Sequence, residues 1–319
     1  MRQFSIIVPS FNRAKYLPRI YNSLCKQQDI DFEWIIVDDG SSDNTREIVA
    51  GFNQIFPIKY TYQENAGKPT AMNTGVNMAN SYISVSLDSD DILLPNVLKS
   101  VWNLFDIQTG KFENSCACVS GLCQYDNGDV IGDKFPKDYY VSDHIKCRFN
   151  EKINGDKLEF VVTSVLKQYL FPIFKNEKNI VPGVIMFRMA LSYKTLYVNQ
   201  IFAEKQFLPG GLSTQNYWFM YPNGSELYYN EASVPPLSFK WQIKNSGQYI
   251  FFAKMNKKKK IYKNAKNKRI YLYGLFSYCI YSLKLLLKRI PFLQKLNNLL
   301  KFILVKKKTN YKVFKTEQL

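Results

Sequence analysis

Histidine is almost absent from this 319-residue chain, where His144 is the only one. It is distant from the group Cys116, Cys118 and Cys123, which therefore reads as small apolar residues on a core strand and not as a zinc site. The six cysteines show no paired metal-ligand spacing and fall in segments that read as buried, so free thiols in a reducing compartment are expected. Long hydrophobic runs are also missing. Met1-Arg2-Gln3 leads straight into a strand without a signal-peptide core, which points to the cytoplasm. The longest uncharged stretch of the C-terminal part, Ile270 to Leu283, has ~14 residues where a membrane-spanning helix needs ~20. Glycine-rich phosphate cradles are absent as well. No G-x-G-x-x-G follows the first apolar run, Gly67-Lys68 is followed by Pro69-Thr70, and Tyr62 stands where the first glycine of a P-loop is required. A nucleotide, if bound, must be held mainly by side chains and metal. Acid, finally, is nearly missing from the tail: Phe251 to Leu319 holds 19 Lys and Arg against the single Glu317, whereas the first 250 residues hold 24 basic and 25 acidic side chains. The net charge of +17 is a property of the tail, on a nearly neutral body.

What is present begins with alternation. Phe4 to Val8, Glu33 to Val37, Ile58 to Gln63 and Tyr82 to Leu87 read as strands; Tyr16 to Gln27, Thr45 to Phe52, Lys68 to Ala79 and the segment from Pro95 to Phe105 read as helices. This order predicts right-handed βαβ units and a mainly parallel sheet flanked by helices, with ligand chemistry at the loops after the strands. Those loops carry Pro9-Ser10-Phe11-Asn12-Arg13, Asp38 to Asp43, Glu64 to Lys68, and Asp88-Ser89-Asp90-Asp91. The last places three carboxylates in four positions and suits a hard cation, Mg²⁺ or Mn²⁺. Its competing reading is a helix cap supplied by Asp90 or Asp91. Further on, Ser115 to Ile131 favours strands with a turn at Asn127-Gly128, Gly155 to Tyr169 has helical character, and Lys194 to Phe207 reads as strand. Asn223-Gly224-Ser225 fits a glycosylation sequon, but in the expected compartment it reads as a turn.

Residues 4 to 105 resemble the family 2 glycosyltransferases of the GT-A fold. Val8 to Asn12 is similar to the family's V-P-x-Y-N, Val37 to Asp43 to V-D-D-G-S-x-D, Asn65 to Gly75 to N-x-G-x-x-x-A-x-N-x-G, and Asp88-Ser89-Asp90 to its D-x-D metal signature. The resemblance implies a Rossmann-like mixed sheet that binds a nucleotide-sugar with Mn²⁺ or Mg²⁺. It implies donor contacts from Pro9, Phe11, Asn12, Asp38, Asp39, Asn65, Gly67, Lys68, Asn73 and Asp88, with Asp39 at the base and Asp88 on the ribose side. The metal falls to Asp90 and Asp91. Resemblance to a bacterial polysaccharide-type subgroup extends to about residue 231 with two departures: Val181-Pro182-Gly183-Val184 lacks the usual glutamate after proline, and Gly210-Gly211-Leu212-Ser213 replaces Asp-Gly.

An inverting transfer needs a carboxylate to accept the acceptor's proton, and Asp156, Glu159 and Glu177 are the substitutes. The organisation expected is a nucleotide-sugar-binding half at 1–110, an acceptor-side half at 111–245 and a basic amphipathic helical tail at 246–319. In that tail Phe292, Leu293, Leu296, Leu299, Leu300 and Ile303 fall at helical spacing, largely opposite Lys295 and Lys301. That pattern suits the anionic inner face of a cell membrane, and packing of these helices on the body is the plainer alternative. The partners the resemblance implies are a nucleotide-sugar, uridine-based, and a glycan or lipid-linked acceptor. A non-catalytic sugar-nucleotide or glycan binder and nucleic-acid binding through the tail are the rival functions, the latter without any recognised base-reading module.

Overall fold

A computed structural model describes residues 2–112, 115–206 and 217–288 of the chain. In the first part, four strands alternate with helices: β1 (Phe4–Ser10), α1 (Leu17–Leu24), β2 (Phe32–Asp38), α2 (Thr45–Ala50), β3 (Ile58–Tyr62), α3 (Lys68–Met78) and β4 (Ile83–Ser86). These strands run parallel in the order β3-β2-β1-β4. Every residue of β1 and β2 is buried, as continuous apolar runs in a sheet covered on both faces should be. Ile7, Ile35 and Val37 pack on Ala71, Met72 and Val76 of α3. On the opposite face Phe4, Ile6, Val8 and Trp34 meet Leu17, Ile20 and Leu24 of α1.

The strand β5 (Ile92–Leu93) and the helix α4 (Val97–Phe112) follow the acidic cluster. Next come β6 (Cys116–Gln124), β7 (Tyr140–Ser142), β8 (Lys157–Val162), α5 (Thr163–Leu166), α6 (Gly183–Met189) and β9 (Lys194–Glu204). They extend the same sheet as β4-β8-β6-β9-β5, with β7 on β9, so one sheet serves both expected halves. Here β8 is antiparallel to β4 and β6, while β6 and β9 are parallel. The carboxyl end of β9 therefore lies at the same edge as that of β4. Asn127-Gly128 forms the expected turn: Gly128 N–H donates to the Tyr125 carbonyl and Tyr125 N–H to Asp129.

Several local expectations change. Within Gly155 to Tyr169, Lys157–Val162 is strand, because Leu158 and Phe160 are drawn into the core while β8 pairs on both sides, and only one helical turn follows. The helix expected from Pro95 begins at Val97, too far on for Asp90 or Asp91 to cap it. Cys25 and Cys279 are exposed thiols, not buried ones. Asn223-Gly224-Ser225 is the first turn of a helix.

After α7 (Tyr217–Met220) the described chain is helical: α8 (Pro222–Glu231), α9 (Phe239–Met255), α10 (Ile261–Asn264) and α11 (Lys268–Lys288). The tail boundary expected at residue 246 thus falls inside α9. Helices α9 and α11 approach through small residues; a Cβ added to Gly247 would meet Ser277 at 2.7 Å. The outward face of α11 is apolar, with Phe276 74% exposed, Leu272 61%, Tyr273 56% and Leu283 55%. The amphipathic segment Phe292 to Ile303 and the departure at Gly210 to Ser213 lie outside the described residues.

Candidate active site

Parallel strands β2 and β4 flank β1 on opposite sides, so the chain reverses its lateral direction beside β1 and opens a crevice at the carboxyl edge. The loops after β1 and β2 are tied together there. Asn12, at φ 53°, accepts the Ser42 N–H on Oδ1 at 2.8 Å and donates its own N–H to Ser41 Oγ at 2.9 Å. Asp38 accepts Ser41 N–H at 2.8 Å and the Tyr60 hydroxyl at 2.7 Å. Burial first and the Asp38 carboxylate second push the Tyr60 phenol above its ordinary pKa. Phe11 projects from this assembly, 47% exposed, whereas Pro9 is buried within β1.

Asp39 is a bracket for the third loop. Its carboxylate accepts Gln63 Nε2 at 2.7 Å, Ala66 N–H at 2.9 Å and Gly67 N–H at 2.8 Å. Gly67 has φ 96°, and a Cβ there would fall 2.5 Å from the Lys178 carbonyl oxygen. The same carbonyl accepts Lys68 N–H at 3.0 Å, and Lys178 Nζ donates to the Asn65 carbonyl. The loop after β3 is thereby locked to the segment before α6. Asn73 clamps the Phe171 backbone through both its amide nitrogen (2.9 Å) and its amide oxygen (2.8 Å).

The three carboxylates after β4 meet different partners. Asp88 Oδ1 lies 2.6 Å from Lys68 Nζ. Burial would raise the Asp88 carboxyl, but Lys68, Lys205 and Arg13 outweigh it and hold the pKa down to about 2. Asp91 is buried with Lys205 Nζ 2.7 Å from Oδ2. Burial also opposes the charged Lys205 ammonium, yet Asp88, Asp91 and Asp156 keep its pKa above the ordinary lysine value. Asp90 donates nothing to this pairing: Arg19 binds its backbone carbonyl at 3.3 Å and also the Glu204 carboxylate, and among the described residues no donor engages the Asp90 side chain. That free carboxylate suits a hard cation that takes its remaining oxygens from a diphosphate and water. Asp91 does not offer the same fit. No group of three metal-ligating side chains with suitable geometry occurs among the described residues.

The candidate bases separate clearly. Both oxygens of Glu177 serve the start of α8, accepting Asn223 N–H at 2.6 Å, Asn223 Nδ2 at 2.8 Å and Gly224 N–H at 2.9 Å. Asp156 is exposed, 3.8 Å from Lys205. Glu159 lies on β8 opposite Ser120 of β6, half-buried and without an ion pair or hydrogen-bond donor among the described residues. Burial first, opposed by Arg148 and Lys205 and reinforced by Asp156, pushes its carboxyl up to about 7.

Lys205, Lys178, Gln63 and Arg19 were not candidates on sequence grounds. Lys205 carried one usable signal, a cation at the carboxyl end of a predicted strand. The others act through contacts made by residues far apart in the chain.

Residues 5–121 match the sequence model of "Glycosyl transferase family 2". An uncharacterised glycosyltransferase of Nostoc sp. is 36% identical over 105 residues, 32% of this chain and 33% of that protein. The poly(ribitol-phosphate) β-N-acetylglucosaminyltransferase TarS of Staphylococcus aureus is 34% identical over 110 residues, 33% of this chain and 19% of that protein. The crystal structure of S. aureus TarS superposes with a TM-score of 0.59 at 18% identity, covering 84% of this chain and 50% of that one. Residues 1–349 of TarS in complex with UDP-GlcNAc give 0.57 at 19% identity, covering 86% of this chain and 79% of that one. The chain thus matches only about a third or less of the length of these curated relatives.

Proposed function

We propose that this chain, whose residues 5–121 match the family 2 glycosyltransferase model and whose fold is GT-A-like, transfers a sugar from a nucleotide-sugar, of the uridine diphosphate class, to a glycan or lipid-linked acceptor. One observation carries this reading: four polar loops converge on the β1/β4 crevice, where Asp88 meets Lys68 beside the unengaged Asp90. The uridine assignment is supported by the similarity of a third of the chain to TarS, a protein solved in complex with UDP and with UDP-GlcNAc.

The exposed ring of Phe11 offers a stacking face to the base. Lys68 and Arg13 supply positive charge where the diphosphate departs. A bound Mn²⁺ or Mg²⁺ would act as a Lewis acid on the two phosphates, with Asp90 as its protein ligand. On the acceptor side Glu159 takes the hydroxyl proton as that oxygen bonds to the anomeric carbon. The bond from that carbon to the diphosphate oxygen breaks, its electron pair leaves with the nucleotide, and configuration inverts. Glu159 is favoured over Glu177 because its carboxylate is not consumed by backbone donors.

The acceptor reading draws support from α11. No helix among the described residues is long and apolar enough to cross a membrane. Yet α11 turns Leu272, Tyr273, Phe276 and Leu283 outward between Lys268 and Lys284. Such a face suits an anionic lipid surface, and we place the chain peripherally at the cytoplasmic face of a cell membrane. Duplex nucleic acid would leave this apolar strip in water.

The test is incubation of the full chain with UDP-sugars, Mn²⁺ and membrane extract, followed by product analysis. Sugar transfer that Glu159→Gln abolishes is expected. Binding of UDP with no transfer to any acceptor would favour the second reading, a sugar-nucleotide binder on the same scaffold, which rests on Val181-Pro182-Gly183-Val184 lacking the glutamate that follows proline in the subgroup.

A further inference from the structure

Lys205 directly follows β9, which runs parallel to β6 on the acceptor side, and it reaches back to the acidic loop after β4. Its ammonium lies 2.7 Å from Asp91 Oδ2 and 3.8 Å from Asp156 Oδ2. The Lys205 and Asp91 side chains are only 15% and 4% exposed. Lys68 meets Asp88 at 2.6 Å on the other side of the cluster. Two lysines therefore engage two of the three carboxylates, and among the described residues Asp90 alone keeps an unengaged side chain. A divalent ion that recruited Asp91 would have to separate a mostly buried ion pair and leave the Lys205 ammonium with only the more distant, exposed Asp156 as its salt-bridge partner, a costly exchange. A single carboxylate is a weak site for a hard cation that needs about six oxygens; a diphosphate brings the missing ones.

We propose that Lys205 is a built-in counter-ion that withholds Asp91 from metal coordination, so that the divalent cation binds through Asp90 together with the nucleotide diphosphate and not before it. This rests on the nucleotide-sugar reading of the crevice. Metal and nucleotide then strengthen each other's binding by the same factor, because the coupling is reciprocal.

The test reads free Mn²⁺ by electron paramagnetic resonance against the full chain, with and without UDP, and UDP binding by calorimetry. In the wild-type chain saturating UDP should tighten Mn²⁺ binding by at least about tenfold. Asp91→Asn should retain the UDP-dependent uptake to within about twofold, whereas Asp90→Asn should lose it. Lys205→Met should bind Mn²⁺ without UDP at least about tenfold more tightly than wild type, with folding checked by circular dichroism. The Asp91→Asn comparison decides the matter even where Lys205→Met does not fold. Equal Mn²⁺ affinity with and without UDP, or Asp91→Asn losing uptake as fully as Asp90→Asn, would overturn the proposal while leaving the donor reading intact. Absence of UDP binding under all conditions would overturn both.

Discussion

Glu159 and Glu177 are both acidic side chains in the part of the chain after β6, and their surroundings divide their roles. Glu177 has each oxygen fixed by backbone N–H groups at the start of α8, so its loss should loosen the helical region. Glu159 has no such donors, and its pKa of about 7 against an ordinary 4.5 makes it half-protonated near neutrality. Two consequences follow for pH. Transfer needs the deprotonated form, so kcat/KM should rise with pH through about 7, and Glu159→Gln should lower kcat by about 10²–10⁴-fold and remove that limb. Stability should move the other way. Between pH 4.5 and about 7 the native chain holds more protons at this group than the unfolded chain does, so its contribution falls as pH rises. Urea unfolding at pH 5 and pH 8 should show wild type losing stability relative to Glu159→Gln across that interval; parallel changes would contradict the assignment.

At the scale of elements, the donor loops are rigid because they brace one another. Gly67 is the joint: its positive φ and the Lys178 backbone leave no room for a Cβ. Gly67→Ala should cost about 1–3 kcal/mol, read by thermal melting, and should weaken UDP binding in the same variant. An unchanged melting temperature would show that the loop relaxes freely. Helix α11 packs on α9 with Gly274 and Ser277 at the closest approach and Ile270 and Tyr278 beside them, yet it also turns a row of large apolar residues outward. Burial and then the neighbouring Lys284 and Lys240 lower the Lys244 ammonium, which shows how closely basic groups crowd beside this face. Burying a Leu or Phe side chain contributes about 1.5–3 kcal/mol. The pair Leu272→Ser and Phe276→Ser should therefore reduce co-sedimentation with anionic vesicles by more than about tenfold. Undiminished binding would exclude α11 as the contact.

For the whole molecule, the sequence reveals the parallel half better than the rest. In residues 4–105 the apolar runs are short and separated by helices, and those of β1, β2 and most of β4 are buried on both faces, so local pattern and tertiary environment agree. Beyond Ser115 the strands are antiparallel or mixed and find their partners across long separations. Leu158 and Phe160 become strand through pairing with β4 and β6, which no local periodicity records. The site divides in the same way. Asp38, Asp39, Asp88 and Asp90 were legible because they end predicted strands at one edge, while the division of labour among them was not. Asp91 belongs to Lys205, 114 residues away, and Asn73 belongs to the Phe171 backbone, 98 residues away.

The central claim is that the β1/β4 crevice binds a nucleotide-sugar. Calorimetric titration of UDP with Mn²⁺ into the full chain, and into Asp88→Asn and Asp90→Asn variants that melt like wild type, tests it most directly. The account predicts saturable binding to the wild-type chain that weakens at least about tenfold in each variant, the loss expected when a charged contact worth about 1.5–3 kcal/mol is removed. Absence of UDP binding to the wild-type chain, or equal affinity in all three proteins, would contradict it.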